Sequence, residues 1–191
     1  MNKYLKMILK IFILNNALNM RYNPETDNIE VYYNGEWIVW KNANVQELSA
    51  LIPTMSANSQ GGYVVSMTGT LKGNAYLAFD NNDTTRAQYY RTSDGTFTVD
   101  ITFPNPVCAK RLYLYLLCNR VSSCIISASA DGSIYDTLTS FELSSTLGTK
   151  YDVTFDNNNE YTKYRLTFGK APYLENEYHL IAYTIQLYGR E

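Results

Sequence analysis

Clustered basic charge is missing from this chain. Its 16 Lys and Arg are outnumbered by 18 Asp and Glu, and no block of them gathers along the 191 residues. A nucleic-acid binder needs a stripe of cations to neutralise phosphates, so nucleic acid is excluded as a partner. Histidine occurs once, at His179, so a His-rich metal centre or a Ser–His pair would rest on that residue alone. The three cysteines, Cys108, Cys118 and Cys124, are odd in number and form no close pair. A disulfide framework or a zinc site needs better spacing, so they are expected to be buried free thiols of a protein made in a reducing cytosol. Neither a phosphate-cradling glycine loop nor a nucleophile elbow is present. Glu175 and Glu177 stand two apart in one loop, which fixes no glycosidase-like separation of carboxyl groups. The chain therefore reads as a non-enzyme.

Long hydrophobic runs are missing too. The apolar stretch MNKYLKMILKIFILNNALN (1–19) is interrupted by Lys6 and Lys10. It is too short and too charged to span a bilayer, and no small-x-small cleavage site follows it. Membrane insertion is not expected. Tyr4, Met7, Ile11, Leu14 and Leu18 recur at alternating spacings of three and four, which predicts a helix with one apolar seam. Two readings stand: an assembly segment that joins copies of the chain, or an amphipathic helix packed on its own domain.

What the chain has in excess is tyrosine, 18 residues, with charged residues held to 18%. Tyrosine favours half-buried strands and contact surfaces. Turn formers in NPETDN and an Asn-Gly pair divide residues 20–42 into three short strands near 20–23, 29–33 and 36–40. This hairpin module is too small to bury Trp37 and Trp40 alone, so it calls for a neighbour or for copies of itself. Residues 43–62 read as a linker, with VQELSALI, Pro53 and SANSQGG in sequence. From 63 to 191 strand follows strand: TFTVDITF (96–103), KRLYLYLL (110–117), SSCIISAS (122–129), FELSS (140–144), KYDVTF (150–155), KYRLTF (163–168) and IAYTIQLYG (181–189). Strands so spaced, with turn signals between, predict an all-β sandwich or barrel.

Two resemblances refine this. MRYNPETDNIEVYYNGEW (20–37) resembles a β-structured module common in bacteriophage tail fibres and other virion proteins, often trimeric. In residues 63–191, AFDNNDTTRA, SADGSIYDTL, YTKYRLTF and TIQLYG follow one another in the order seen in discoidin-like domains, the relatives of coagulation factor C domains and of many carbohydrate-binding modules. That resemblance implies an eight-stranded jelly-roll β-sandwich of the galactose-binding type. Together they imply a virion protein, made in the host cytoplasm. It would be a homotrimer that meets other virion proteins and grips a host-surface glycan. A purely structural capsid-decoration or tail-adaptor role is the alternative.

The same resemblance suggests a structural Ca²⁺ in the loop FDNNDTTRA, held by Asp80, Asp83 and Thr85. Such a loop offers carboxylate, carbonyl and hydroxyl oxygens, the hard ligands that Ca²⁺ prefers. Two departures count against it. Thr184 stands where a Glu commonly helps in the family, and the usual Trp after the loop is missing. A turn in which Asp and Asn cap their own backbone is favoured slightly over a bound ion. For the sugar site the candidates are Tyr89, Tyr90 and Arg91, then Asn119 and Arg120, then Tyr173, Glu175 and His179. Aromatic faces stack on apolar sugar faces while polar groups bond to hydroxyls. Each candidate taken singly suits an ordinary strand or loop position, so the site depends on whether the three segments converge.

Overall fold

The computed structural model describes residues 20–23, 25–26, 28–33, 36–42, 48–71, 73–91, 96–117, 121–144, 146–170 and 178–190. The helix expected over residues 1–19 lies outside them. The chain divides into two compact units, Met1–Glu47 and Leu48–Glu191. Among the described residues, no helix is long and apolar enough to cross a membrane.

In the first unit β1 (Met20–Asn23), β2 (Asn28–Tyr33) and β3 (Glu36–Asn42) form an antiparallel meander in the order β1-β2-β3. These are the three strands that the turn residues predict. Arg21 stands opposite Glu30 across β1 and β2, and its Nε meets the Glu30 carboxylate at 2.6 Å. Asn23 Nδ2 donates to the other oxygen at 2.9 Å. These bonds, Asn23's first and Arg21's second, hold the Glu30 carboxyl below its usual range. The Arg21 guanidinium also lies over the Trp37 ring, 4.3 Å from its centroid. Trp37, Ile38 and Val39 remain exposed.

The second unit is built from β4 (Ser49–Ala50), β5 (Ser59–Gln60), β6 (Tyr63–Met67), β7 (Thr70–Leu71), a 3-10 turn (Ala75–Ala78), β8 (Ala87–Arg91), β9 (Phe97–Leu116), β10 (Val121–Ser129), β11 (Asp136–Glu142), β12 (Thr149–Thr154), β13 (Tyr161–Lys170) and β14 (Tyr178–Arg190). Two antiparallel layers face each other. One runs β11-β10-β13-β9-β6-β5 and the other β12-β9-β14-β8-β7, with β4 added to the far end of β14. Strand β9 belongs to both: residues 97–102 pair with β13, and residues 111–116 pair with β12 and β14. The sequence reads these as two strands parted by Pro-Asn-Pro. They form one because the strand changes layers at Pro104–Pro106, where the side chains are exposed; the missing proline N–H groups are tolerated there.

The core lies between the layers. Strict alternation points Phe97, Val99 and Ile101 inward from the first half of β9, and Leu112, Leu114 and Leu116 from the second. Leu166, Phe168, Ile185 and Leu187 meet them. The sandwich fold that the strand spacing predicts is thus the fold observed. Cys108 and Cys124 are buried free thiols, and burial pushes the Cys124 thiol pKa up. Cys118 lies outside the described residues.

The reading of 43–62 as a linker is corrected over residues 48–62. Leu51, Ile52 and Met55 are buried in the core, and β4 pairs with Tyr188 and Gly189 of β14. The Gly-Gly pair that suggested flexibility is a two-residue hairpin turn. Gly61 and Gly62 hold φ of 59° and 85° between paired β5 and β6, a conformation that glycine enters without strain.

Candidate functional site

Strand register decides which of the strand ends flanking the candidate segments lie together. β8 ends where β14 begins, with Arg91 opposite Tyr178 and Tyr90 opposite His179. The second half of β9 ends beside them, and Leu117 N–H donates to the Ile181 carbonyl at 3.0 Å. In the other layer Val121, the first residue of β10, stands opposite Lys170, the last of β13, and Phe97 stands opposite Phe168. The strand ends flanking 92–96, 118–120 and 171–177 therefore all lie at one end of the sandwich. Asn119, Arg120, Tyr173 and Glu175 themselves lie outside the described residues, and for Arg91 and His179 only the backbone position is described.

Alternation along β8 separates the two neighbouring tyrosines. Ala87 and Tyr89 point inward, and Tyr89 is 2% exposed, so it packs in the core and is withdrawn as a sugar contact. Burial pushes its phenol up to about 12. Tyr90 faces outward with Gln88, whose Nε2 donates to the Tyr90 hydroxyl.

The Asp80–Thr85 loop closes on itself. Asp80 accepts from Asn82 N–H at 3.1 Å and from the Thr85 hydroxyl at 2.6 Å. Asn82 Oδ1 accepts from the Thr84 N–H and hydroxyl, and Asn81 holds a left-handed φ of 54°. Asp83 reaches out of the loop, accepting from the Thr184 hydroxyl at 2.5 Å and from Lys150 Nζ at 3.3 Å. The Thr184 bond first, and Lys150 after it, hold the Asp83 carboxyl below its usual range. This donor set does not fit Ca²⁺. The carboxylate oxygens of Asp80 and Asp83 accept from protein donors, the Thr85 hydroxyl is spent as one of those donors, and an ammonium already stands against Asp83. Among the described residues, no three of His, Cys, Asp and Glu gather.

A feature the sequence reading missed lies on the outer face of the β12-β9-β14-β8-β7 layer. A cavity of about 530 Å³ has Tyr113 of β9 and Thr184, Gln186 and Tyr188 of β14 as its floor. Segment 50–54 forms one wall and Asn81 with Asp83 the other. Gln186 clamps the first wall, donating through Nε2 to the Ile52 carbonyl at 2.8 Å and accepting from Ile52 N–H at 3.1 Å. Beside the cavity, Arg111 pairs with Asp152 through two bonds of 2.6 and 2.8 Å and lies over Tyr188, 4.7 Å from the ring centroid. Tyr115 stacks on Tyr183 with centroids 4.7 Å apart. The alternation of YLYL in β9 hinted at tyrosines on one face. The walls were not legible, since they come from segments about a hundred residues or more before the floor residues of β14.

Comparison with solved structures finds the same fold in several carbohydrate-binding modules. The module CpGH89CBM32-5 of Clostridium perfringens, solved with GalNAc-β-1,3-galactose, matches at a TM-score of 0.56 and 14% identity, covering 73% of this chain and 99% of that one. The family 32 module of C. perfringens NanJ, solved with galactose, matches at 0.57 and 12% identity, over 74% and 99%. A chitosan-binding module from a chitosanase/glucanase of Paenibacillus sp. IK-5 matches at 0.52 and 18% identity, over 67% and 96%. No protein-family model and no curated protein matches the sequence. The fold is the discoidin-like, galactose-binding type of β-sandwich shared with these modules.

Proposed function

We propose that the second unit is a non-catalytic glycan-binding module whose site is formed by the loops at the β8–β14 end. The observation that carries this is the strand register, which brings the ends flanking all three candidate segments to one place. Fold alone does not assign function. The support comes from that convergence together with the sugars bound by modules of the same fold. A single shallow loop site gives weak affinity, on the order of millimolar. Repetition of the site would convert this into firm attachment.

The setting we propose is a virion, with the unit directed at a host-surface glycan. It rests on the resemblance of residues 20–37 to phage fibre modules. The exposed Trp37, Ile38 and Val39 of the meander suit self-assembly, and a homotrimer would bury all three copies alike. Light scattering of the intact chain would then give about three times 21.8 kDa. A monomer that persists at high concentration would remove the trimer from the account. A glycan array probed with the intact chain tests the binding itself. Reproducible hits that Tyr90→Ala, Arg120→Ala and Tyr173→Ala weaken, without lowering the melting temperature, support it. A silent array, or three variants that bind as the parent does, favours the structural alternative of a decoration or adaptor protein.

A further inference from the structure

We infer that the cavity on the outer face of the β9–β14 sheet is a second saccharide site, taking one or two rings of a neutral sugar. The glycan-binding reading lends it only the ligand class; its geometry is independent of the loop end. Thr184 is six residues along β14 from Tyr178, roughly 20 Å at strand rise.

Its volume of about 530 Å³ falls in the range of roughly 300–1,000 Å³ usual for small-molecule sites. Tyr113 stands opposite Gln186 and Tyr188 opposite Arg111, so the two rings lie diagonally on one face of the sheet. A pyranose presents C–H faces suited to such rings, and a ring of hydroxyls around them. Thr54 and Asn81 supply donors and acceptors from the walls. Both walls are fastened to the same strand, one by the Gln186 clamp on Ile52 and the other by Thr184 on Asp83. Pre-organised walls lower the ordering cost of binding. Charge at the site is matched internally: Arg111 with Asp152, and Lys150 with Asp83. No uncompensated charge among these groups calls for an ionic ligand, which favours a neutral sugar over a uronate or a phosphate.

The test is a ¹⁵N-resolved NMR titration of the full chain with galactose, N-acetylgalactosamine, N-acetylglucosamine and glucuronate, each to about 50 mM, above the expected millimolar range. At least one neutral sugar should give saturable shifts at the Thr54, Asn81, Thr184 and Gln186 amides. Tyr113→Ala should weaken that response about tenfold or more, while Tyr90→Ala, which tests the loop end, should leave it unchanged. Asn81→Gly is the second variant. It removes the wall amide on an exposed loop and suits the left-handed φ, so it carries the test if Tyr113→Ala folds poorly. Four silent amides with every sugar would overturn the inference. So would shifts that survive both wall and floor variants, or that vanish with Tyr90→Ala. Shifts in residues 20–42 on making Asn81→Gly in sugar-free protein would also overturn it, since the chain itself would then fill the cavity.

Discussion

Removing a single oxygen, by Tyr164→Phe, probes the point on which the two layers turn. The Tyr164 ring is fully buried, edge-on to Phe103 and Tyr161 with centroids 5.6 and 6.1 Å away. Its hydroxyl donates to the Val107 carbonyl at 2.7 Å and accepts from the Ala109 N–H at 3.0 Å. Both partners are backbone groups of β9 just past the Pro104–Pro106 bend. The substitution leaves one donor and one acceptor without that partner in a buried place, at about 1–3 kcal/mol each. The carbonyl keeps a second lone pair and suffers less, so the total should be about 3 kcal/mol. For a domain of this size that lowers the melting temperature by roughly 6–12 °C. Urea titration followed by fluorescence measures the loss, and an unchanged slope would show that the unfolded state is not the cause. Tyr161→Phe is the internal comparison. Its hydroxyl bonds the exposed Asp136 carboxylate at 3.0 Å, where water can replace it, so about 1 kcal/mol or less is expected. Equal losses in the two variants, or less than about 0.5 kcal/mol for Tyr164→Phe, would refute the view that this hydroxyl secures the bend.

EDTA should leave the melting temperature unmoved, and added Ca²⁺ should not raise it, since a ligand stabilises only where it binds the native state. A calcium-dependent rise abolished by Asp80→Ala would overturn the reading of the loop as a capped turn. Burial raises the phenols of Tyr89 and Tyr164 to about 12 from their ordinary value of 10.0. Their contribution is therefore complete below pH of about 10 and lost as pH rises toward about 12, which urea midpoints across that window would register. Asp83 is depressed below the ordinary aspartate value of 3.8, first by the Thr184 bond. Its contribution is present above that pH and lost as pH falls below it, and Thr184→Val should flatten this acid slope. Residues 48–191 should fold alone, whereas a chain begun at residue 63 loses Leu51, Ile52 and Met55 from the core. At about 1.5–3 kcal/mol per buried side chain that loss rivals the whole stability of a domain, and circular dichroism of the two fragments would tell them apart.

Alternation made the sandwich legible: TFTVDITF and KYDVTF each reveal an inward face without reference to any partner. The meander was equally readable, because Asn34-Gly35 and the turn residues around Pro24 act locally. Leu51, Ile52 and Met55 follow no strand or helix period, and their burial depends on β14, more than a hundred residues later. Tyr89 and Tyr90 look alike in sequence; only the pleat of β8 decides which one meets solvent. For Lys150, nothing in KYDVTF says that its ammonium will stand against Asp83. The pairing of β12 with β9, and of β9 with β14, puts it there. The meeting of the strand ends that flank the candidate segments has the same origin in register, as does the cavity on the sheet face.

Strand β14 occupies the middle of its layer, with β9 on one side, β8 on the other and β4 at its far end, yet its residues are the last of the second unit to be synthesised. While the ribosome still holds them, β8 and β9 each present an unsatisfied hydrogen-bonding edge and Leu112, Leu114 and Ala87 lack a cover. The sandwich therefore closes only after translation of this unit is complete. Until then its safest state is delay, since open edges beside apolar side chains are what neighbouring nascent chains pair with.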